Sequence, residues 1–356
     1  MNRIKHTIAS VRHWLNTHKK ISYAIVAVGI LAFAGLSYVI VEALSPRFVE
    51  PAPIHVKKPE KKYYSPLTGV KVADESATKQ LVTAIMIENS PDARPHSGLQ
   101  QAGVVYEAIA EGGITRYVAL YQQAKPDLIG PVRSLRPYFL DWVAPYDASI
   151  AHVGGSAKAL NEVRNGNYRD IDQFFNAPSY WRASDRYAPH NVYTNFERLD
   201  KLNNSKDYKA SSFTGFERSD GKVVDTPDAT DITVNFSSAL YNTRYVYDVK
   251  SNTYRRYLGG EPHQDREKGA ITPSVVIAMQ VDETTAQEDG PRQVITTTGS
   301  GKATIFQNGT VIQGSWRKTG TKNQLTWLDS AGKPIKLVRG QTWIAAVPNG
   351  RGSVSW

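Results

Sequence analysis

Arg94, Arg116, Arg133 and Arg136 lie within residues 93–156, with His96, Glu107, Glu111, Ser134, His152 and Ser156 between or beside them. A guanidinium is a planar fork that holds phosphate, carboxylate or sulfate through two parallel hydrogen bonds. Arginines grouped beside short apolar strands form a candidate oxyanion pocket, and phosphoryl transfer needs such fixed positive charge. Glu107, Glu111 and Asp141 allow a second outcome, an internal network that neutralises the same arginines. The two outcomes differ in space: one open cleft, or several internal pairs.

Proton transfer has two candidates, His152 and His190, because imidazole titrates near neutrality. His190 stands in Ala188-Pro189-His190-Asn191, close to Arg182, Asp185 and Arg186. A hydrogen-bonded loop histidine is the plainer reading of His190. Gly154-Gly155-Ser156 follows His152 and precedes a helical pattern over 158–164. Its backbone N–H groups could receive an anion, and Ser156 equally suits an N-cap.

Other chemistry is excluded or weak. Only His96, His152, His190 and His263 occur after residue 62, none at metal-binding spacing, so neither metal nor cofactor is expected. Ser76-Ala77-Thr78-Lys79 lacks the partner motifs of a serine–lysine site. Gly299-Ser300-Gly301-Lys302 has the wrong spacing for a P-loop, and no Gly-x-Ser-x-Gly occurs. The chain contains no cysteine, which removes disulfides, thiolate nucleophiles and an acylated cysteine. Most of the aromatic residues beyond 137 are expected in the core; any exposed ones would suit stacking on sugar rings.

The elements that must position these groups follow from composition. Residues 21–44 are an apolar run long enough for a membrane-spanning helix. The preceding residues 1–20 carry Arg3, Lys5, Arg12, Lys19 and Lys20 and no acidic residue. The positive-inside rule puts that segment in the cytoplasm and the rest of the chain outside. Residues 45–62 are a Pro/Lys-rich spacer. The net charge is +10, but residues 1–62 contribute ten Lys/Arg against three acidic residues. The excess is mostly topology signal and linker, which argues against a nucleic-acid partner.

The remaining length exceeds one ordinary core, so two domains are expected, 63–225 and 226–356. The first reads as strands over 81–88, 104–110, 117–122 and 149–153, with helices over 134–142 and 158–164. The second reads as nine strands, with Asn308-Gly309 as a hairpin turn. The fold class expected is α+β.

The chain resembles the YerB-like family of bacterial envelope proteins. The motifs that carry this are Ser65-Pro66-Leu67-Thr68-Gly69, Ala93-Arg94-Pro95-His96-Ser97-Gly98-Leu99, Tyr106-Glu107 through Arg116, Gly130-Pro131-Val132-Arg133-Ser134 with Arg136-Pro137, His152-Val153-Gly154-Gly155-Ser156, and Pro189-His190-Asn191. Tyr254-Arg255-Arg256 and Trp343-Ile344 carry it into the second domain. The resemblance implies a three-layer ββα-type first domain and an extracytoplasmic location. It implies no activity. Many members are lipoproteins with an acylated cysteine, a tether that a transmembrane helix replaces here. The layout also resembles LytR-type wall-polymer ligases, without their Asp-Thr signature.

The function expected is that of a single-pass, outward-facing envelope protein anchored through residues 21–44. It would bind a wall polymer or lipid-linked phosphate at an Arg/His face: Arg94, His96, Glu107, Glu111, Arg116, Arg133, Ser134, Arg136, His152, Ser156, His190 and Asn191. A LytR-like phosphotransferase or hydrolase, and a non-catalytic scaffold for wall-synthesis proteins, are the alternatives.

Overall fold

The computed structural model describes residues 2–46, 61–288 and 290–356. Residues 1–60 and 61–356 are separate units. The first holds α1 (Asn2–Thr17) and α2 (Lys19–Leu44). The basic segment is thus helical. α2 starts two residues before the expected span, and His18, with φ −116° and ψ 48°, breaks the two helices apart. Most of the expected linker lies outside the described residues.

The second unit is organised by a ten-stranded sheet. Its strands are β1 (Thr83–Glu88), β2 (Val104–Glu111), β3 (Ile114–Tyr121), β4 (Ser149–His152), β5 (Arg169–Asp172), β6 (Val275–Val281), β7 (Gly299–Gln307), β8 (Thr310–Lys318), β9 (Thr326–Asp329) and β10 (Thr342–Pro348). Their spatial order is β9-β8-β7-β6-β10-β2-β3-β1-β4-β5. β1 and β10 are buried along their whole length, as strands covered on both faces must be. Ala84 and Met86 face one side, Ile85 and Ile87 the other.

Helices α3 (Pro137–Val143) and α4 (Ala157–Asn165) cover the first side through Phe139, Trp142, Ala159 and Val163. Pro137 begins α3, where its missing N–H costs nothing. The second side is covered by helix α5 (Phe196–Ser205) and a five-stranded sheet that includes Asp231–Asn235, Thr243–Asp248 and Thr253–Leu258. Asn308 and Gly309 both take positive φ in the β7–β8 hairpin, as a tight two-residue turn requires.

This is an α+β fold with helix, sheet and sheet in three layers. The third layer combines α5 with a sheet of residues beyond 230. β10 pairs parallel with β2, placing Trp343 beside Val105 and Ile344 beside Tyr106, so both halves of the chain share one sheet. The physical reason is the backbone edge of β2, whose N–H and C=O groups the β10 ladder satisfies.

Candidate functional site

β1 ends at Glu88, and two loops are stitched to that end. Pro131 accepts from the Glu88 N–H, and the Arg133 N–H donates to Met86. The Val132 N–H donates to Val192 at 2.7 Å, which brings the loop carrying His190 alongside. Glu88 is a lone acid at the end of an apolar strand, and its side chain is only 6% exposed. Its Oε1 lies 3.0 Å from His190 Nδ1 and 3.4 Å from Arg133 Nε, and accepts from Ser90 Oγ at 3.1 Å. Glu88 Oε2 and Arg133 Nε are buried without a hydrogen-bond partner among the described residues.

His190 Nδ1 hydrogen-bonds with Ser90 Oγ at 3.0 Å, and because Ser90 gives its own proton to Glu88, the ring proton sits on Nδ1. His190 Nε2 then keeps its lone pair, with Asp92 Oδ2 3.9 Å away. His190 lines an open cavity of about 720 Å³, together with Arg94, Arg186, Arg266, Asp185 and the exposed Tyr187. Arg266 pairs with Asp185 at 2.7 Å, and that bond is what chiefly lowers the Asp185 pKa. Arg94 donates to Asn89 Oδ1 and to the carbonyls of Asn89 and Leu240. Arg186 donates to the carbonyls of Asp92, Arg94 and Pro95. Both guanidinium groups are therefore fixed by neutral oxygens, which hold position without cancelling charge. Asn191 fastens the same loop, accepting from Arg182 at 2.7 Å and donating to the carbonyls of Ala183 and Arg186.

The other expected site residues do not converge here. Arg116 and Arg136 close on Glu111, which Arg292 also approaches at 3.5 Å. Burial pushes the Glu111 carboxyl up, but Arg116 and Arg136 outweigh it and leave its pKa lowered. Ser134 contributes only its carbonyl, which accepts from Arg116. His152 is fully buried, 2.8 Å from the Gly154 carbonyl and 3.0 Å from Asp170. A buried imidazole held at both nitrogens has no position left for a substrate. Ser156 caps α4 by accepting from the Ala159 N–H. Asp141 accepts from Thr297. Among the described residues no cluster of three or more metal-ligating side chains occurs.

Glu107 and His96 belong to a buried polar chain. Arg256 donates to Glu107 at 2.7 Å, and both side chains are fully buried. Trp343 Nε1 and Thr115 Oγ1 donate to the same carboxylate. Arg256 also donates to His263 Nδ1. That fixes the His263 proton on Nε2, which donates to His96 Nδ1 at 2.8 Å. His96 then donates from Nε2 to the Glu88 carbonyl at 2.8 Å. Every donor finds an acceptor only if both imidazoles are neutral. Burial pushes His96 down to about 3, and burial with Arg256 holds His263 well below the ordinary imidazole range. Burial also works against the Arg256 charge, but Glu107 more than offsets it and leaves the pKa raised.

Of the expected aromatics, Tyr138, Trp142, Tyr180, Trp316, Trp327 and Trp343 are core residues, whereas Tyr187 is 91% exposed beside the cavity. Arg186 and Arg266, which line the cavity, and Glu88 and Ser90, which stand behind His190, are the groups that sequence reasoning left out of the expected site. The lone acid ending β1 was the one available signal.

Residues 67–209 match the family described as "Protein of unknown function (DUF3048) N-terminal domain", and residues 232–344 match its C-terminal domain. Over 294 residues the chain is 32% identical to "Putative lipoprotein YerB" of Bacillus subtilis (strain 168), covering 81% of this chain and 87% of the relative. A crystal structure of YerB protein from Bacillus subtilis superposes with a TM-score of 0.75 at 30% identity, over 83% of this chain and all of that one. The chain belongs to the YerB-like family, whose two domain types it carries in order. α2 is long and apolar enough to cross a bilayer, and it is fully exposed. That is compatible with an envelope-associated, membrane-anchored protein.

Proposed function

We propose that α2 anchors an outward-facing envelope protein which binds an anionic envelope component, a wall-polymer phosphate or a lipid-linked phosphate, in the Arg94/Arg186/His190 cavity. The observation that carries this reading is the pair of guanidinium groups fixed by neutral oxygens at an open cavity. A phosphate there gains charge-assisted hydrogen bonds from groups already in place. The test is calorimetric titration of the full chain in nanodiscs with a phosphodiester wall polymer and, separately, a polyprenyl phosphate. One of the two should bind, and Arg186→Gln should weaken it about tenfold, the loss of one charged hydrogen bond. Failure of both ligands to bind the unaltered chain overturns the reading.

The Glu88–His190 pair favours a second reading, hydrolysis of a phosphate ester. His190 Nε2 would take a proton from water as the water oxygen bonds to phosphorus. The P–O bond to the leaving group breaks, and the leaving oxygen receives that proton. Arg94 and Arg186 would hold the equatorial charge. His190→Gln should abolish turnover and leave binding within about fivefold, since a neutral hydrogen bond contributes only ~1 kcal/mol. Absence of turnover by the unaltered chain on both ligands excludes this second reading and leaves the first intact.

A further inference from the structure

α1 precedes the apolar helix and is not explained by anchoring. Ile4, Ile8, Val11 and Leu15 follow one another at four, three and four residues along it, with Trp14 at their border. At about 100° per residue these five side chains occupy one arc of about 120°. Lys5, Arg12, His13 and Asn16 fall outside that arc, and no acidic residue occurs in the helix. The apolar residues are exposed, from 67% at Ile4 to 38% at Leu15.

A water-facing apolar stripe of this kind needs a cover. α2 has 26 residues, about 39 Å of helix, so it crosses a hydrocarbon core without help from α1. One non-helical residue, His18, separates the two helices. α1 therefore starts at the lipid headgroups and cannot leave them by more than its own length. Its charge is wholly positive, and Trp is a residue that settles at the headgroup level.

We infer that α1 lies in the plane of the leaflet from which α2 emerges, with Ile4, Ile8, Val11, Trp14 and Leu15 in the acyl boundary and Arg3, Lys5 and Arg12 on anionic phospholipid headgroups. The inference rests on α2 being the anchor. Its effect is to fix the anchor's depth and to sort the protein towards anionic membrane.

The chain has no native cysteine, so one introduced cysteine gives one labelling position. The full chain is placed in mixed phosphatidylcholine–phosphatidylglycerol vesicles with a nitroxide at Ile8→Cys, Leu15→Cys, Lys5→Cys, Asn16→Cys or Ile30→Cys. Relaxation by oxygen and by a water-soluble nickel chelate gives each label's depth. Labels at 8 and 15 should be open to oxygen and shielded from nickel, and labels at 5 and 16 the reverse. Replacing Arg3, Lys5 and Arg12 by Gln should shift α1 towards water by about fivefold per charge removed. Equal nickel access at 5 and 8, with the label at 30 inside the hydrocarbon, overturns the inference and leaves the anchor standing. Spin–spin broadening at 8 would show a second copy covering the stripe, and also overturns it. Nickel access at 30 removes the anchor and the inference together.

Discussion

Two clusters meet at Glu88 and use the same residue types to opposite ends. On the backbone side, the Glu88 carbonyl closes the chain Glu107–Arg256–His263–His96, which is sealed from water. On the side-chain side, the Glu88 carboxylate faces His190 next to Arg94 and Arg186 at an open cavity. In the sealed cluster the guanidinium is matched by a carboxylate and each imidazole nitrogen is occupied. In the open cluster the guanidinium groups are matched by carbonyls, and one imidazole nitrogen is left over. Saturated partners make a strut; unsaturated ones leave positions that a ligand can take.

The largest way to break this contrast is Arg256→Met. It strands the Glu107 carboxylate inside the core and should cost about 3–5 kcal/mol, read from urea denaturation of residues 61–356 within the full chain. A loss under about 1 kcal/mol would show that the sealed cluster is not a strut.

Acid comes next. The unfolded chain protonates its histidines below about pH 6.5, whereas folded His96 stays neutral down to about 3. Below pH 6.5 the unfolded state holds more protons, so stability is full above that pH and falls as pH drops. The slope is about 1.4 kcal/mol per pH unit for each such histidine. Between pH 6.5 and 4.5, His96→Gln should remove about 2–3 kcal/mol of that acid sensitivity. An unchanged slope would place His96 outside the sealed chain. Ser156→Ala should cost about 1 kcal/mol through the lost α4 cap. A larger loss, or altered phosphate binding, would return Ser156 to the site.

The smallest stability effect is expected at the cavity. Arg94→Gln should change the unfolding free energy by no more than about 1 kcal/mol while lowering phosphate affinity about tenfold. Equal losses in both measurements would make the open cluster another strut.

How much of this was legible follows from range. β1, β2 and β3 announce themselves by short runs rich in β-branched and aromatic residues, and the C-terminal hairpin by Asn308-Gly309. α5 was missed because only Phe196, Leu199 and Asn203 are buried on it, too short a stripe for a clear period. The sealed chain was illegible in principle. Glu107 and Arg256 are 149 residues apart, and no local pattern marks such a pair. The same limit made Arg116, Arg133 and Arg136 look like one site, when Glu111 and Glu88 divide them.

The placement of β10 bears on how the chain reaches this state. It is synthesised after both of its neighbours, yet it sits mid-sheet, between β6 and β2. Until it arrives, both neighbours present bare hydrogen-bonding edges, and nothing joins the early half to the late half of the sheet. Folding of the sheet must wait for β10, and such distant pairing is slow. A ribosome or export channel still holding β10 holds an open, sticky half-sheet.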